Sequence, residues 1–164
     1  MIIKKFSPKF KEEIQELLFF AFGNNRFPKT YANLYIDNIL QAPYIFPSFV
    51  ALNEENRVAG YIIWRIKSLV DEALTLEIQE LAAIGADKLN IEKKLAEETP
   101  IMIGNSIKAE FSDIKQLNIE MWIHHKDKQN SVLYDSNYKF LGTREKKEAR
   151  GEIISLYEKI IKIE

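Results

Sequence analysis

Cysteine and histidine, which bind transition metals and act in nucleophilic catalysis, are scarce in this sequence. Its 164 residues include no cysteine and two histidines. The lack of cysteine excludes disulfides, thiolate zinc sites and cysteine nucleophiles, and it suits a reducing cytoplasm. His124 and His125 are adjacent at the end of a predicted strand, so their side chains point in opposite directions and cannot converge on one ion. We therefore expect no metal site.

Length and charge limit the class of partner. Hydrophobic residues make up 46% of the chain and aromatic residues 12%, which is enough for one core and predicts a single domain over residues 1–164. With 23 Lys and Arg against 24 Asp and Glu, no overall field favours nucleic acid or an anionic membrane. The longest apolar run, residues 17–22, is far too short to span a bilayer, and the first residues do not resemble a signal peptide. We expect a soluble, cytoplasmic protein with a small or peptide-like ligand.

Apolar periodicity predicts the elements of the first half. A brief strand at residues 2–3 precedes a helix that begins at Ser7 and Pro8 and ends at Gly23. A second helix is predicted over residues 29–40, before Pro43. Strands 49–52 and 58–66 then form a hairpin across a turn of polar residues.

The middle of the chain is ambiguous. Residues 73–83 alternate apolar and polar side chains, which favours a strand, but Leu74, Ile78 and Leu81 also fit a helical face. A helix is predicted over residues 88–98, ending before Pro100. Residues 101–114 fit both a helix and a strand, and we favour the helix.

The last part of the chain is clearer. Residues 117–124 alternate strictly and predict a strand, with Asn118, Glu120 and Trp122 on its polar side. A short helix over 128–136, a strand over 138–143 and a last strand over 153–161 follow. The alternating apolar residues of that last strand permit a homodimer, and an internal core strand explains them equally well. The order of elements indicates one α/β unit.

Two stretches carry a family resemblance. Residues 49–64, FVALNEENRVAGYIIW, and residues 117–140, LNIEMWIHHKDKQNSVLYDSNYKF, resemble the second and third strands and the fifth strand with its following helix in GNAT acetyltransferases. The family's Leu-Tyr-x-x-x-Gly-Phe ending lacks its glycine here, where Asn137 and Tyr138 occupy the turn. The resemblance implies an α/β (α+β) fold with a central mixed, mostly antiparallel sheet flanked by helices, and acetyl-CoA as co-substrate.

The resemblance also implies where the cofactor lies. Family members bind the pyrophosphate on backbone N–H groups of a glycine-containing loop at the start of a helix. Residues 87–95 match that loop, with Asn90 and Glu92 in place of the two glycines; Glu92 brings a carboxylate beside phosphate unless it turns outward. A second placement, residues 102–106, requires a helix to start after Thr99 and Pro100, and a third possibility is that cofactor binding is lost.

The family pattern assigns roles by position. Tyr134 matches the tyrosine that protonates the CoA thiolate, although it could equally pack on the sheet edge. Glu77 matches a general base on the fourth strand, and Glu80 is the second candidate; both could be surface carboxylates. In the family the fourth and fifth strands diverge. Backbone groups of the fourth strand then form hydrogen bonds with pantetheine. The residues that we assign to the cofactor on this basis are Leu81, Ala82, Ala83, Ile84, Lys88, Leu89, Asn90, Ile91, Glu92 and Asn130.

Three functional hypotheses follow from these residues. The first is an N-acetyltransferase that transfers an acetyl group from acetyl-CoA to a primary amine of a small molecule or peptide. The second is a catalytically inactive GNAT-like binding or regulatory domain. The third, an α/β domain of another topology, requires residues 73–83 to be helical. Five aromatic residues could line an acceptor pocket or belong to the core: Tyr31, Tyr35, Tyr61, Trp64 and Trp122.

Overall fold

A computed structural model describes residues 1–22, 29–110, 114–124, 137–146 and 152–163. The elements in chain order are β1 (Ile2–Lys5), α1 (Lys11–Phe22, after a 3-10 turn at Pro8–Phe10), α2 (Lys29–Gln41), β2 (Ser48–Leu52), β3 (Val58–Val70), β4 (Ala73–Ala83), α3 (Lys88–Glu110), β5 (Gln116–His124), β6 (Lys139–Lys146) and β7 (Glu152–Lys162). The α/β class with a mixed, mostly antiparallel sheet is confirmed. The predicted helix 128–136 and the helix end at Gly23 lie outside the described residues.

The strands form a seven-stranded sheet in the order β1-β2-β3-β4-β5-β7-β6. Neighbouring strands are antiparallel except for β4 and β5, which are parallel. A parallel pair needs a crossover connection, and the long helix α3 supplies it. Strand β7 lies between β5 and β6, so the predicted last strand is internal and β6 forms the edge. The homodimer remains a prediction.

Residues 73–83 form a strand because both of their neighbours are strands. Strand β4 pairs with β3 from Ala73 opposite Val70 to Ala83 opposite Gly60, and its first half pairs with β5. The alternative helical face therefore has no role, because the pleat sends Leu74, Leu76 and Ile78 to one side of the sheet. The hypothesis of a different topology is wrong.

The predicted helix end before Pro100 is also wrong, since α3 continues through this residue to Glu110. Proline removes one backbone hydrogen bond and disturbs the preceding turn. Burial outweighs that cost here, because the same face of α3 is buried on both sides of Pro100 and packs across the sheet. The buried residues of this face are Ile91, Glu92, Leu95, Ala96, Thr99, Pro100, Ile103 and Gly104.

Each face of the sheet carries its own core. Helix α3 covers one face, which we call the α3 face, where Trp64 and Leu95 are fully buried. Helices α1 and α2 cover part of the other, which we call the α1/α2 face, and pack on Val50, Tyr61 and Ile63. The two faces are thus separated by the sheet, and any site between strands connects them.

A buried hydrogen-bond chain fixes α3 on the sheet. The Trp64 indole N–H donates to Thr99 Oγ1 at 2.8 Å, and the Thr99 hydroxyl donates to the Leu95 carbonyl oxygen at 2.6 Å. Trp64 and Thr99 are both 0% exposed, so neither group has water as a substitute partner. Their pairing holds α3 in one position along β3.

We predict that Thr99→Val destabilises the protein by about 1–3 kcal/mol, because it leaves the buried Trp64 N–H without an acceptor. Denaturant unfolding monitored by tryptophan fluorescence measures the difference. Thr143→Val, the same change at an exposed position of β6, is the control and should alter stability by less than about 0.5 kcal/mol. Equal effects of the two substitutions would contradict the role given to Thr99.

Candidate active site

Strands β4 and β5 separate at their carboxyl ends. They are paired from Ala73 and Gln116 to Ile78 and Met121, after which β4 continues to Ala83 and β5 to His124 without further pairing between them. We call the space between residues 79–83 of β4 and 122–124 of β5 the gap. Strand β5 remains paired with β7 through His124, so β4 is the strand that leaves.

A β-bulge accounts for the separation. Ile63 of β3 pairs with Glu80 and Trp64 pairs with Ile78, so Gln79 is an extra residue in β4. A bulge bends its strand and increases the local twist. Because the bulge directly follows the last β4–β5 pair, β4 turns away from β5 while it keeps its partner β3.

The backbone of β4 presents polar groups to the gap at alternate residues. The Ile84 N–H donates to the Ala59 carbonyl oxygen of β3 at 2.9 Å. Bonded and non-bonded pairs alternate in an antiparallel ladder, so Ala82 also directs its backbone groups to β3, while Leu81 and Ala83 direct theirs to the gap. Of the four residues predicted to pair with the cofactor, two therefore have the required orientation.

The bulge also brings Glu77 and Glu80 to the same face. Residues three apart on a regular strand point to opposite sides of a sheet. Here Glu77 is opposite Arg65 and Glu80 is opposite Ile63, and Ile63 belongs to the core of the α1/α2 face. Both predicted base candidates consequently lie on the α1/α2 face, beside the gap.

A row of charged residues crosses that face in register. It runs over five strands as Arg65, Glu77, Glu120, Glu158 and Lys139, each opposite the next. Like charges directly opposite each other in a sheet are unfavourable. Three neighbouring carboxylates in this charged row therefore favour the approach of a cation.

Lys67 neutralises part of the charged row. Its ammonium forms an ion pair with Glu120 and lies 3.9 Å from the Glu77 carboxylate, while the Gln79 amide donates to Glu77 at 2.8 Å. The Glu77 side chain is 14% exposed and that of Glu120 is 18% exposed. Glu77 is thus held from two sides and still reaches solvent.

The start of α3 borders the end of β4. Lys88 is the first residue of the helix, Asn90 donates a hydrogen bond to the Asp87 carboxylate, Leu89 is exposed and Ile91 is buried. A Cβ at Gly60 of β3 would lie 2.7 Å from Ile91 Cγ2, so helix and strand are in close contact here. The predicted loop 87–92 therefore lies at a helix start beside the gap.

The second placement of the cofactor loop, at residues 102–106, assumed a helix start that the structure does not have. Residues 102–106 lie in the interior of α3, since no helix starts after Pro100. Gly104 instead allows close packing, because a Cβ there would lie 2.8 Å from Ile163 Cδ1 and 3.1 Å from Leu117 Cδ2. Its backbone N–H groups belong to the helix and are not available to a ligand.

Glu92 turns inward rather than outward. It is 7% exposed, its carboxylate lies 3.7 Å from the Lys88 ammonium, and it accepts a hydrogen bond from the backbone of Ala83. Burial raises the pKa of Glu92, and the Lys88 charge and the Ala83 hydrogen bond partly oppose this shift. A carboxylate thus lies against one of the two backbone N–H groups that face the gap.

Other expected site residues have different outcomes. Tyr134 and Asn130 lie outside the described residues, so their roles stay predictions. Tyr61 and Trp64 are buried in opposite cores, whereas Trp122 lies on the α1/α2 face with the Arg144 guanidinium 5.5 Å from its ring centre. Among the described residues no group of three or more His, Cys, Asp or Glu could hold a metal ion.

A cavity of about 580 Å³ lies near the other end of α3. Phe46, Ile66, Leu69, Met102 and Ile107 are among its lining residues, and it shares none with the gap.

None of the helices in the described part of the chain is long and apolar enough to cross a membrane.

Comparison with known proteins identifies the fold. No protein-family model matches the sequence, and no curated protein matches it either. Solved structures do match: ribosomal-protein-alanine N-acetyltransferase from Brucella melitensis is 15% identical (TM-score 0.66; 98% of this chain and 100% of that chain). Aminoglycoside 6'-N-acetyltransferase from Enterococcus faecium is 12% identical (0.67; 98% and 97%), and Arabidopsis thaliana NAA60 in complex with acetyl-CoA is 12% identical (0.69; 98% and 98%). The chain has the GNAT acetyltransferase fold.

The GNAT fold confirms the family resemblance at the level of architecture. Strands β2 and β3 contain the first matching stretch and β5 begins the second. Asn137 has a φ of 55°, a left-handed conformation that glycine adopts most easily and Asn tolerates. Asn137 thus supplies a left-handed turn conformation one position before Tyr138, the residue that matches the glycine of the GNAT pattern when counted from Tyr134.

Sequence reasoning missed Glu120 and Lys67 as site residues. Alternation in residues 117–124 placed Glu120 on the polar side of its strand, but only the parallel register of the GNAT sheet brings it opposite Glu77. Lys67 is the extra residue at a second bulge, in β3 between Ile66 and Ser68. No signal in the sequence indicates that bulge.

We predict that Glu92→Gln gains stability relative to the parent protein as the pH rises from about 4 to 7. The pKa of Glu92 is raised above its ordinary value of 4.5, so its ionised form destabilises the fold. That destabilisation is absent below the unfolded-state pKa and grows as the pH rises through the folded-state value. Chemical denaturation across this pH range measures the difference.

Glu98→Gln is a matched control. Glu98 lies on the same helix and pairs with Lys94 at 3.6 Å in the same i,i+4 arrangement, but it is exposed. Its substitution should leave the pH profile unchanged. A stability difference between Glu92→Gln and the parent that does not vary with pH would contradict the burial argument.

Proposed function

We propose that this protein is an acetyl-CoA-dependent N-acetyltransferase that acetylates a primary amine of a small molecule or peptide. The observation that carries the proposal is the gap, where β4 leaves β5 and the backbone groups of Leu81 and Ala83 face an open edge. An extended arm with amide groups can pair with such an edge as an added strand does. The acetyl-CoA complex among the structures of this fold supports the choice of donor.

The donor end of the site combines backbone and helix groups. Leu81 and Ala83 would pair with the amides of the pantetheine arm. The first N–H groups of α3, near Lys88 and Asn90, offer a partial positive charge to the phosphates. The Lys88 ammonium, on a half-exposed side chain, adds a full charge. The carboxylates of Glu92 and of Asp87, in the turn before the helix, do not fit an anionic donor.

The acceptor enters from the α1/α2 face in this proposal. Its ammonium group is attracted by the charged row, and Glu77 accepts its proton, directly or through a water molecule. The neutral nitrogen attacks the thioester carbonyl carbon, the C–N bond forms and the C–S bond breaks. The leaving thiolate takes a proton, for which Tyr134 is the proposed donor, and the proton that the new amide nitrogen loses restores the phenol, so that the net proton released is the one on Glu77. Glu120 and Lys67 position Glu77.

Isothermal titration with acetyl-CoA tests the proposal at its first step. We expect saturable binding with one site per chain. No detectable heat at millimolar acetyl-CoA, with correctly folded protein, would reject the proposed function.

We predict that Glu77→Gln lowers kcat/KM for an acceptor amine at neutral pH by about 10²–10⁴-fold, because the base that accepts the ammonium proton is lost. Release of the CoA thiol, followed over a panel of primary amines and amino-terminal peptides, gives the rate. Acetyl-CoA affinity should not change. Glu55→Gln, in the exposed turn between β2 and β3, should keep parental activity; equal rates for the two variants would remove Glu77 from the mechanism.

Tyr134→Phe separates donor chemistry from donor binding. We expect lower turnover with unchanged acetyl-CoA affinity, since a phenyl ring cannot protonate the thiolate. Unchanged turnover of this variant would remove the catalytic role of Tyr134.

Glu92 favours a second candidate function, a GNAT-fold binding or regulatory domain without catalysis. A buried carboxylate at the end of the gap and Asn90 in place of a glycine both weaken an anion site. Titration and turnover together distinguish the candidates: ligand binding without acetyl transfer to any amine tested would favour the second.

A further inference from the structure

Glu92 is a buried charged residue for which the proposed mechanism has no use. Among the described residues it is the only charged side chain in the buried class, the other buried polar side chains being those of Ser48, Thr99 and Ser155. Burying a carboxylate is costly unless it is paired and hydrogen-bonded. Its partners show what it does in the free protein.

Those partners place the Glu92 carboxylate at the gap. The Lys88 ammonium is 3.7 Å away on the same helix, and the Ala83 backbone donates to the carboxylate. Ala83 directs that N–H away from β3, because the adjacent Ile84 N–H is bonded to Ala59. Glu92 thus occupies a backbone donor at the open edge of β4.

We propose that the Glu92 carboxylate occupies the Ala83 end of the gap in the free protein and is displaced when an acyl donor binds. The inference rests on the proposed function, in that it concerns the same gap and the same donor. It adds that donor binding includes the loss of an internal hydrogen bond.

The Glu92 carboxylate and a bound donor cannot both occupy this end of the gap, for two reasons. A single Ala83 N–H cannot donate fully to both the Glu92 carboxylate and a carbonyl of the donor arm. A carboxylate and a phosphate in a poorly solvated site also repel each other more strongly than in water. Displacement removes both conflicts and leaves Lys88 available to the phosphates.

Among the residues that the structure describes, Lys88 is the charged group that acts on Glu92. The ends of β3 and β4 packed against this turn consist of Ala59, Gly60, Ala82, Ala83 and Ile84, none of which titrates. Asp87, in the preceding turn, accepts a hydrogen bond from Asn90.

The sign of the pH dependence distinguishes displacement from retention. Burial raises the pKa of Glu92 in the free protein, and displacement into water returns it towards its ordinary value. Binding then releases a proton, so donor affinity rises with pH between the pKa of Glu92 in the bound protein and its pKa in the free protein. If Glu92 stayed buried beside the phosphates, its pKa would rise further, binding would take up a proton and affinity would fall with pH.

Titration calorimetry of the full chain with acetyl-CoA and with acetyl-pantetheine, from pH 5 to 8, tests the inference. Glu92→Ala frees the Ala83 N–H and should bind both donors about tenfold more tightly than the parent at neutral pH. Glu92→Gln keeps the shape without the charge and should lose the parental rise of affinity with pH. Glu98→Gln is the matched control and should behave as the parent.

The outcomes distinguish the role of Glu92 from the proposed function. Parental affinity and parental pH slope in Glu92→Ala would overturn the role of Glu92 while leaving the proposed function intact. A fall of parental affinity with pH that Glu92→Gln abolishes would overturn displacement. Binding by Glu92→Ala where the parent does not bind would overturn displacement, because the carboxylate would then block the gap, and it would also reject the proposed function for the parent protein. Failure of both the parent and Glu92→Ala at millimolar donor, with normal thermal unfolding, would reject both proposals.

Discussion

The β-bulge at Gln79 allows β4 to keep its pairing with β3 while it departs from β5. The two other features of the site depend on this extra residue. It opens the gap to which Leu81 and Ala83 direct their backbone groups, and it shifts the pleat so that Glu80 joins Glu77 on the α1/α2 face. Without it β4 would continue beside β5, and the sheet would have neither an open edge in its middle nor both carboxylates on one side.

The parallel pairing of β4 and β5 imposes a second condition. Parallel neighbours require a crossover, and the crossover helix α3 must start where β4 ends, which places its first turn at the gap. Burial of one face of α3 over its whole length outweighs the local cost of Pro100. The same burial carries Glu92 inward, so the packing that positions the helix also brings a carboxylate to the Ala83 end of the gap.

Local patterns predicted most of the elements. The strands of this sheet and helices α1 and α2 each bury one face, and the alternation or helical spacing of apolar residues indicates that face. Residues 73–83 were ambiguous because both periods fit them, and only the neighbouring strands decide. The helix end predicted before Pro100 was wrong because tertiary packing outweighs the low helix propensity of proline. The candidate Glu77 could be found by family pattern, but Glu120 and Lys67 depend on register and bulges, which arise from contacts between distant segments. The orientation of Glu92 likewise follows from how α3 packs, and the roles of Tyr134 and Asn130 rest on the family pattern alone.

The proposed enzyme depends on binding of the arm of an acyl donor at the open edge of β4. Residue-resolved amide hydrogen exchange with and without saturating acetyl-CoA tests it most directly, because alternate residues of β4 face β3 and the gap. We expect Ala82 and Ile84 to be protected from exchange in both states and Leu81 to gain protection when the donor is added. Unchanged exchange at Leu81 under saturating acetyl-CoA would contradict it.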